Sequence, residues 1–295
     1  MPRPSLHLRL LTLGMRLLTK PKLSRTATPD QADRDFERGA PLLFSAPRGL
    51  IEDIAHGLPR FRVGTAKDTH ILYLHGGAFV CGSSRSYRAM AGRLAKRTGA
   101  TVYVPDYPRL QEAPFPAACE AVHRAWAALR SAGIPAGRIA IAGDSAGGNL
   151  VFGLLARVLA DGERPAAIVA FSPWVDLTLT APSLADNERR DPLLPRRRME
   201  ELVELYLAGA DPKDERASPV RSDFPNPPPI LIQVGEDEIL LDDSRAIAAK
   251  AGATLQIWPH VPHVWQIFDG RLPEANAAMR DVAAFLQTSF DKASR

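Results

Sequence analysis

Two cysteines in 295 residues are too few to staple a secreted scaffold, and nothing in their spacing pairs Cys81 with Cys119. A reducing compartment, the cytoplasm, is the expectation. Long apolar runs are also missing. No stretch reaches the roughly 20 residues needed to cross a bilayer, so stable membrane insertion is not expected. The apolar segment 6–18 is interrupted by Arg9 and Arg16 and followed by no small-residue cleavage site, which argues against a signal peptide. Nor is there a basic stripe in the body of the chain. The formal charge of +4 comes mostly from Arg3, Arg9, Arg16, Lys20, Lys22 and Arg25, which meet no acid before Asp30. The remainder is close to neutral, and nucleic acid is excluded as a partner on that ground.

What is present is an ordinary globular composition, with 45% hydrophobic and 24% charged residues, able to bury a sizeable core. The length suits one large α/β domain spanning residues 1–295. Near-continuous apolar, β-branched runs at 70–74, 101–104, 138–142, 167–171 and 230–234 predict parallel strands buried on both faces. Between and after them, 86–98, 117–131, 146–159, 242–251 and 274–286 carry helical periodicity. No internal repeat interrupts the rhythm. One long insertion does, between Phe171 and Ile230; it holds a helix predicted at 199–207 and returns through the proline-rich 225–229. An insertion there would hang over the carboxyl ends of the strands, where ligands bind in open α/β sheets. At the other end of the chain, residues 1–20 read as an amphipathic helix, with Leu6, Leu10, Leu13 and Leu17 on one face and Arg9, Arg16 and Lys20 on another. The simplest expectation packs it on its own protein; the alternative lays it on a membrane surface.

Two motifs carry chemistry. Gly143-Asp144-Ser145-Ala146-Gly147-Gly148 follows a predicted strand and opens a helix, which puts a serine on a strained strand-to-helix turn. His75-Gly76-Gly77-Ala78-Phe79 ends another strand, where small residues let backbone N–H groups converge on one point. Ser145 is the candidate nucleophile, with Gly76, Gly77 and the N–H of Ala146 as candidate oxyanion donors. His75 precedes the nucleophile and is expected to brace the loop, and Cys81 to fill space as a small hydrophobe. The general base must follow the serine in the chain. His260 and His263 compete for that role, and Asp237, Glu238, Asp242 and Asp243 all stand where the triad acid is needed.

These motifs resemble the hormone-sensitive-lipase-like family of α/β-hydrolase esterases, marked by an H-G-G-G/A loop and a G-D-S-A-G-G elbow. Asp106-Tyr107-Pro108-Arg109-Leu110-Gln111-Glu112-Ala113-Pro114-Phe115-Pro116-Ala117 and Ser172-Pro173-Trp174-Val175-Asp176 are similar to further family stretches, with Pro108 and Gln111 departing from the pattern. The resemblance runs from about residue 60 to the end. It implies an α/β-hydrolase fold and a mostly parallel sheet flanked by helices on both faces. It also implies a helical cap built from about 1–45 and 181–215 over a core of 46–180 and 216–295. The family's P-x-x-P-H ending selects His263. Its D-x-L-x-D loop fits only the frame Glu238-Ile239-Leu240-Leu241-Asp242, which selects Glu238 with Asp237 as the alternative. Asp191-Pro192-Leu193 imitates a family motif but lies inside the insertion and reads as a decoy. Phe79, Asp144 and Trp174 are the candidate substrate contacts. The implied activity is hydrolysis of short to medium acyl esters through an acyl-enzyme, with a small-molecule ester as partner, no metal and no cofactor, and room for a homodimer. Competing readings are a non-catalytic ligand-binding protein on the same fold and an interfacial lipase.

Overall fold

In the computed structural model, which describes residues 4–293, the apolar runs become strands of a single sheet; Arg3, first of the basic positions, lies outside the described residues. The strands are β1 (Leu50–Ala55), β2 (Leu58–Val63), β3 (His70–Leu74), β4 (Thr101–Tyr103), β5 (Ile139–Asp144), β6 (Ala167–Phe171), β7 (Ile230–Gly235) and β8 (Thr254–Trp258). Their order is β1-β2-β4-β3-β5-β6-β7-β8. From β4 to β8 every pairing is parallel, while β1 and β2 form an antiparallel hairpin at the edge and β2 runs antiparallel to β4.

The helices are α1 (Leu6–Gly14), α2 (Lys20–Arg25), α3 (Pro29–Leu43), α4 (Arg88–Thr98), α5 (Ala117–Ser131), α6 (Ala146–Ala160), α7 (Ser183–Asp186), α8 (Arg197–Leu207), α9 (Leu241–Ala251) and α10 (Pro273–Ala293). Successive side chains of a strand point to opposite faces, so each central strand feeds two cores. On one face, Ile71, Tyr73 and Val169 pack with Met90 and Leu94 of α4 and Met279 and Val282 of α10. On the other, Leu72, Ile141 and Ile168 pack with Trp126 of α5, Leu150 and Leu154 of α6 and Ile247 of α9. The chain is therefore a three-layer α/β/α structure, with both faces of the sheet covered as parallel strands require.

All five predicted strands and the helices between them are present, with ends moved by a few residues. β1, β2, β8 and α3 were not anticipated. β1 is exposed along most of its length and carries Glu52 and Asp53, and β8 is only half buried. Edge strands of this kind have no continuous apolar signature.

The N-terminal segment forms α1, a π-helical stretch Met15–Thr19 and α2 in succession. It packs on its own protein, as the simplest expectation has it, but through the face opposite the leucine stripe. Leu8 is buried against Trp265, Leu272, Ala275 and Ala278, and Met15 is buried too, whereas Leu6, Leu10, Leu13 and Leu17 remain between 52% and 66% exposed. Burying one leucine fully is worth roughly 1.5–3 kcal/mol, so this stripe leaves several kcal/mol unrealised. No helix among the described residues is long and apolar enough to cross a membrane. The same segment grips the insertion between β6 and β7. Arg16 donates to the carbonyl of Arg190 at 2.8 Å, and Lys20 Nζ donates to those of Glu188 and Asp191 at 2.6 and 2.7 Å. The predicted insertion helix is α8, whose Tyr206 ring stacks flat on Phe79 just past the end of β3, 3.8 Å between centroids. The insertion thus reaches the carboxyl end of the sheet.

Candidate active site

Ser145 stands between β5 and α6 at φ 52°, ψ −121°, a conformation that costs a non-glycine residue of order 1–3 kcal/mol and needs support from its surroundings. That support is close contact on both sides. A Cβ on Gly143 would lie 2.5 Å from the Leu74 carbonyl oxygen and one on Gly147 2.0 Å from the same atom, so both glycines are dictated by the approach of β3 to the turn. The Ser145 N–H donates to Phe171 O at 2.9 Å, and its carbonyl accepts from Trp174 N at 3.1 Å. Ala146 occupies the first position of α6. There an N–H has no intrahelical partner and lies at the positive end of the helix dipole.

The loop after β3 is organised by Asp144. Its carboxylate accepts from Tyr73 OH at 2.7 Å, Tyr87 OH at 2.8 Å and the N–H of Gly76 at 3.1 Å. A Cβ on Gly76 would meet this carboxylate at 2.2 Å. Two expectations change here. Asp144 is 1% exposed and turned under the loop, so it is not a substrate contact; burial pushes its pKa up to about 6 against the pull of its two phenolic donors. The N–H of Gly76 is already engaged by that carboxylate and is not free for an oxyanion. Gly77 follows at φ 109°, where a Cβ would lie 2.0 Å from Cys81 O, and Ala78 and Phe79 also take positive φ. Among the described residues, neither Gly77 N–H nor Ala78 N–H has an acceptor.

His75 is buried, with Nδ1 2.9 Å from Gly76 O and its ring stacked on Tyr107 at 4.2 Å. Tyr107 OH also donates to His75 O at 2.6 Å. Burial pulls the His75 pKa down to about 4, so it is a neutral brace for the loop. Desolvation pushes the nearby Cys81 thiol up to about 12, far from thiolate reactivity.

The two histidines and two leading acids after β7 sort into separate pairs. His263 Nδ1 lies 2.6 Å from Glu238 Oε2, and Glu238 is fully buried. The other oxygen, Oε1, accepts from Gly235 N–H at 2.6 Å and from Ser172 Oγ at 2.7 Å. Facing a carboxylate, Nδ1 carries the proton, and Nε2 is left with the lone pair. Burial alone would lower the His263 pKa, but the charge and hydrogen bond of Glu238, with Asp191 and Asp144 further off, outweigh it and raise it. Asp237 instead pairs with Arg190 and with His260 Nδ1 at 3.3 Å, on a histidine whose side chain is 56% exposed. No hydrogen bond joins His263 to Ser145, a link that is commonly longer in unliganded sites; both residues keep slight exposure, 7% and 9%.

Asp191 is no triad member, yet it is more than a decoy. It is buried and accepts Ile239 N–H at 3.0 Å, together with Leu193 and Leu194 N–H, which ties the insertion to the loop carrying Glu238. Phe79 and Trp174 are 1% and 2% exposed with centroids 6.2 Å apart, so they stand inside the wall rather than on its surface. Ser172, at φ 47°, carries no role in the sequence reading beyond being the first residue of the S-P-W-x-D stretch. Glu236, Asp237 and His260 are the one trio among the described residues whose atoms could gather round a cation, and Arg190 already binds both acids.

Comparison with known proteins agrees with this architecture. Residues 71–267 match a family model described by the alpha/beta hydrolase fold. An acetyl-hydrolase from Streptomyces hygroscopicus is 41% identical over 225 residues, 74% of this chain and 75% of that protein. An esterase from Acinetobacter venetianus is 38% identical over 228 residues, 75% of each. The solved structure of an esterase from the bacterial hormone-sensitive lipase family superposes with a TM-score of 0.90 at 35% identity, covering 98% of this chain and 100% of the other. With that overlap and the motifs in place, the chain belongs to the hormone-sensitive-lipase-like family of α/β-hydrolase esterases.

Proposed function

We propose that the chain hydrolyses small carboxylic esters, with Ser145 as nucleophile, His263 as general base and Glu238 as its acid partner. The oxyanion donors are the N–H groups of Gly77, Ala78 and Ala146. The observation that carries this reading is the buried 2.6 Å pair of His263 and Glu238, which fixes one tautomer and leaves Nε2 as the base. His263 takes the proton of Ser145 as the serine attacks the ester carbonyl. The developing oxyanion is met by N–H groups that have no competing acceptor within the protein, and by the positive end of α6. The protonated histidine then gives its proton to the leaving alcohol, and an acyl-enzyme remains. Water, deprotonated by the same nitrogen, attacks the acyl carbon and releases the acid and free serine. Three backbone donors replace the water that would otherwise solvate the oxyanion; removing one such donor in a comparable site costs about 10²–10³ in rate.

The cap in this reading is formed by 1–45 and 181–215. The stack of Tyr206 on Phe79 supports it, because it lays α8 against the oxyanion loop. Trp174 closes the same wall from the other side, and an aromatic enclosure of this kind suits short to medium acyl groups, in line with the acetyl-hydrolase relative. Rates on p-nitrophenyl acetate, butyrate and palmitate test it. Acetate or butyrate is expected to exceed palmitate by about tenfold or more in kcat/KM; palmitate turnover equal to butyrate would contradict a small acyl pocket.

A further inference from the structure

We infer that the N-terminal helix is a docking element for an anionic phospholipid surface, on which it lies without crossing. Leu6, Leu10 and Leu13 of α1 recur at spacings of four and three, which at 3.6 residues per turn keeps them on one face, and Leu17 follows four residues on, within the π-helical stretch Met15–Thr19. Leu8 and Met15, on the opposite side, are the residues that fasten the helix to the protein. The stripe therefore points straight outward, and all four of its leucines are more than half exposed. Folding has used the weaker apolar face and left the stronger one without a partner.

Charge identifies the occupant. Residues 6–29 contain no acid. Arg9 and Arg16 border the stripe along one edge and are exposed. At its far end Leu17, Leu18 and Pro21 floor an open hollow of about 370 Å³ whose rim carries Lys22 and Arg25. The insertion segment that Arg16 and Lys20 hold adds the exposed Arg189 nearby, while its neighbour Arg190 is already paired with Glu236 and Asp237. Asp35, which pairs with Lys22 at 2.9 Å, and Glu188 offset part of this field, leaving a net positive surround. A second copy docking by the same stripe would bring these cations together. An anionic bilayer meets both demands, since its phosphates accept the cations while leucines enter the acyl boundary. Interfacial helices combine these features: a strong apolar face, basic flanks and too little overall hydrophobicity to span.

The test is co-sedimentation of the full-length protein with vesicles of phosphatidylcholine alone and of phosphatidylcholine mixed with phosphatidylglycerol, beside the double variant Leu10→Glu, Leu17→Glu. The wild type is expected to bind mixed vesicles at least about tenfold more tightly than neutral ones, with binding weakened by added salt. The variant should lose about tenfold or more of that affinity while keeping its elution volume in size exclusion and its rate on p-nitrophenyl butyrate. Equal binding to neutral and anionic vesicles, or no loss in the variant, would overturn the proposal. So would a wild-type dimer that the variant converts to monomer, since a second copy would then cover the stripe. Vesicle binding reads no hydrolysis, so its failure is separable from failure of the esterase reading.

Discussion

Glu238 carries the finest assignment, because Asp237 immediately before it is also an acid beside a histidine. Their environments differ in kind. Glu238 is buried and accepts three hydrogen bonds, from His263, Gly235 and Ser172. Asp237 shares Arg190 and an exposed His260. A buried carboxylate held by that many donors is fixed in place and orients the imidazole, whereas Asp237, though buried, is bound to Arg190 and to a histidine that stands mostly in solvent, where an ion pair contributes little. Glu238→Gln is therefore expected to lower kcat/KM by about 10³–10⁴, and Asp237→Asn to leave it within about threefold. The pH profile supplies the sign. His263 acts as a base only when unprotonated, and Glu238 raises its pKa. Activity in the wild type thus rises with pH through a value above that of an ordinary imidazole. In Glu238→Gln the residual activity should rise at lower pH. An unmoved acid limb, or a larger loss in Asp237→Asn, would count against the assignment. The pairing of His263 with Glu238 was legible because chain order and motif frame narrow the choice. Which glycine keeps its N–H free was not. That depends on the Asp144 carboxylate reaching Gly76 from the elbow itself, 68 positions along the chain, a contact no local pattern encodes.

Secondary-structure elements were readable in proportion to how uniformly they are buried. β3, β5, β6 and β7 are covered on both faces and so appear as apolar runs, and α5 and α6 as strong helical periods. β1 and β8, at the two edges of the sheet, mix exposed and half-buried positions and fall below that signal. The N-terminal helix shows a different limit: periodicity located it, but two apolar faces were available and only tertiary packing against Trp265 and Leu272 chose between them. In α8 the element and the site meet through one ring. Tyr206 is buried, stacks on Phe79 and lies edge-on to Phe115 at 5.8 Å. Tyr206→Ala is expected to cost about 3 kcal/mol in denaturant unfolding and to raise KM, since Phe79 belongs to the oxyanion loop. Tyr206→Phe keeps both ring contacts and should do neither. Equal unfolding midpoints for the alanine variant and the wild type would show that the stack does not hold the insertion down.

At the scale of the whole molecule, the sheet gathers at one end groups that lie far apart in the chain. β3 ends at the oxyanion loop, β5 at Ser145, β6 at Ser172, β7 at Glu238 and β8 ahead of His263. The proposed catalytic side chains and donors thus follow the carboxyl ends of parallel strands, which is where an open α/β sheet offers a crevice. Neighbouring strands also supply the close contacts that hold Ser145 at a positive φ. The central claim, that this arrangement makes Ser145 a nucleophile, is tested most directly by mass spectrometry of the protein after brief exposure to a fluorophosphonate. One phosphonyl adduct is expected on the peptide containing Ser145, absent in Ser145→Ala and formed about 100-fold more slowly or less in His263→Ala. An adduct on another residue, or undiminished labelling of Ser145→Ala, would contradict the account.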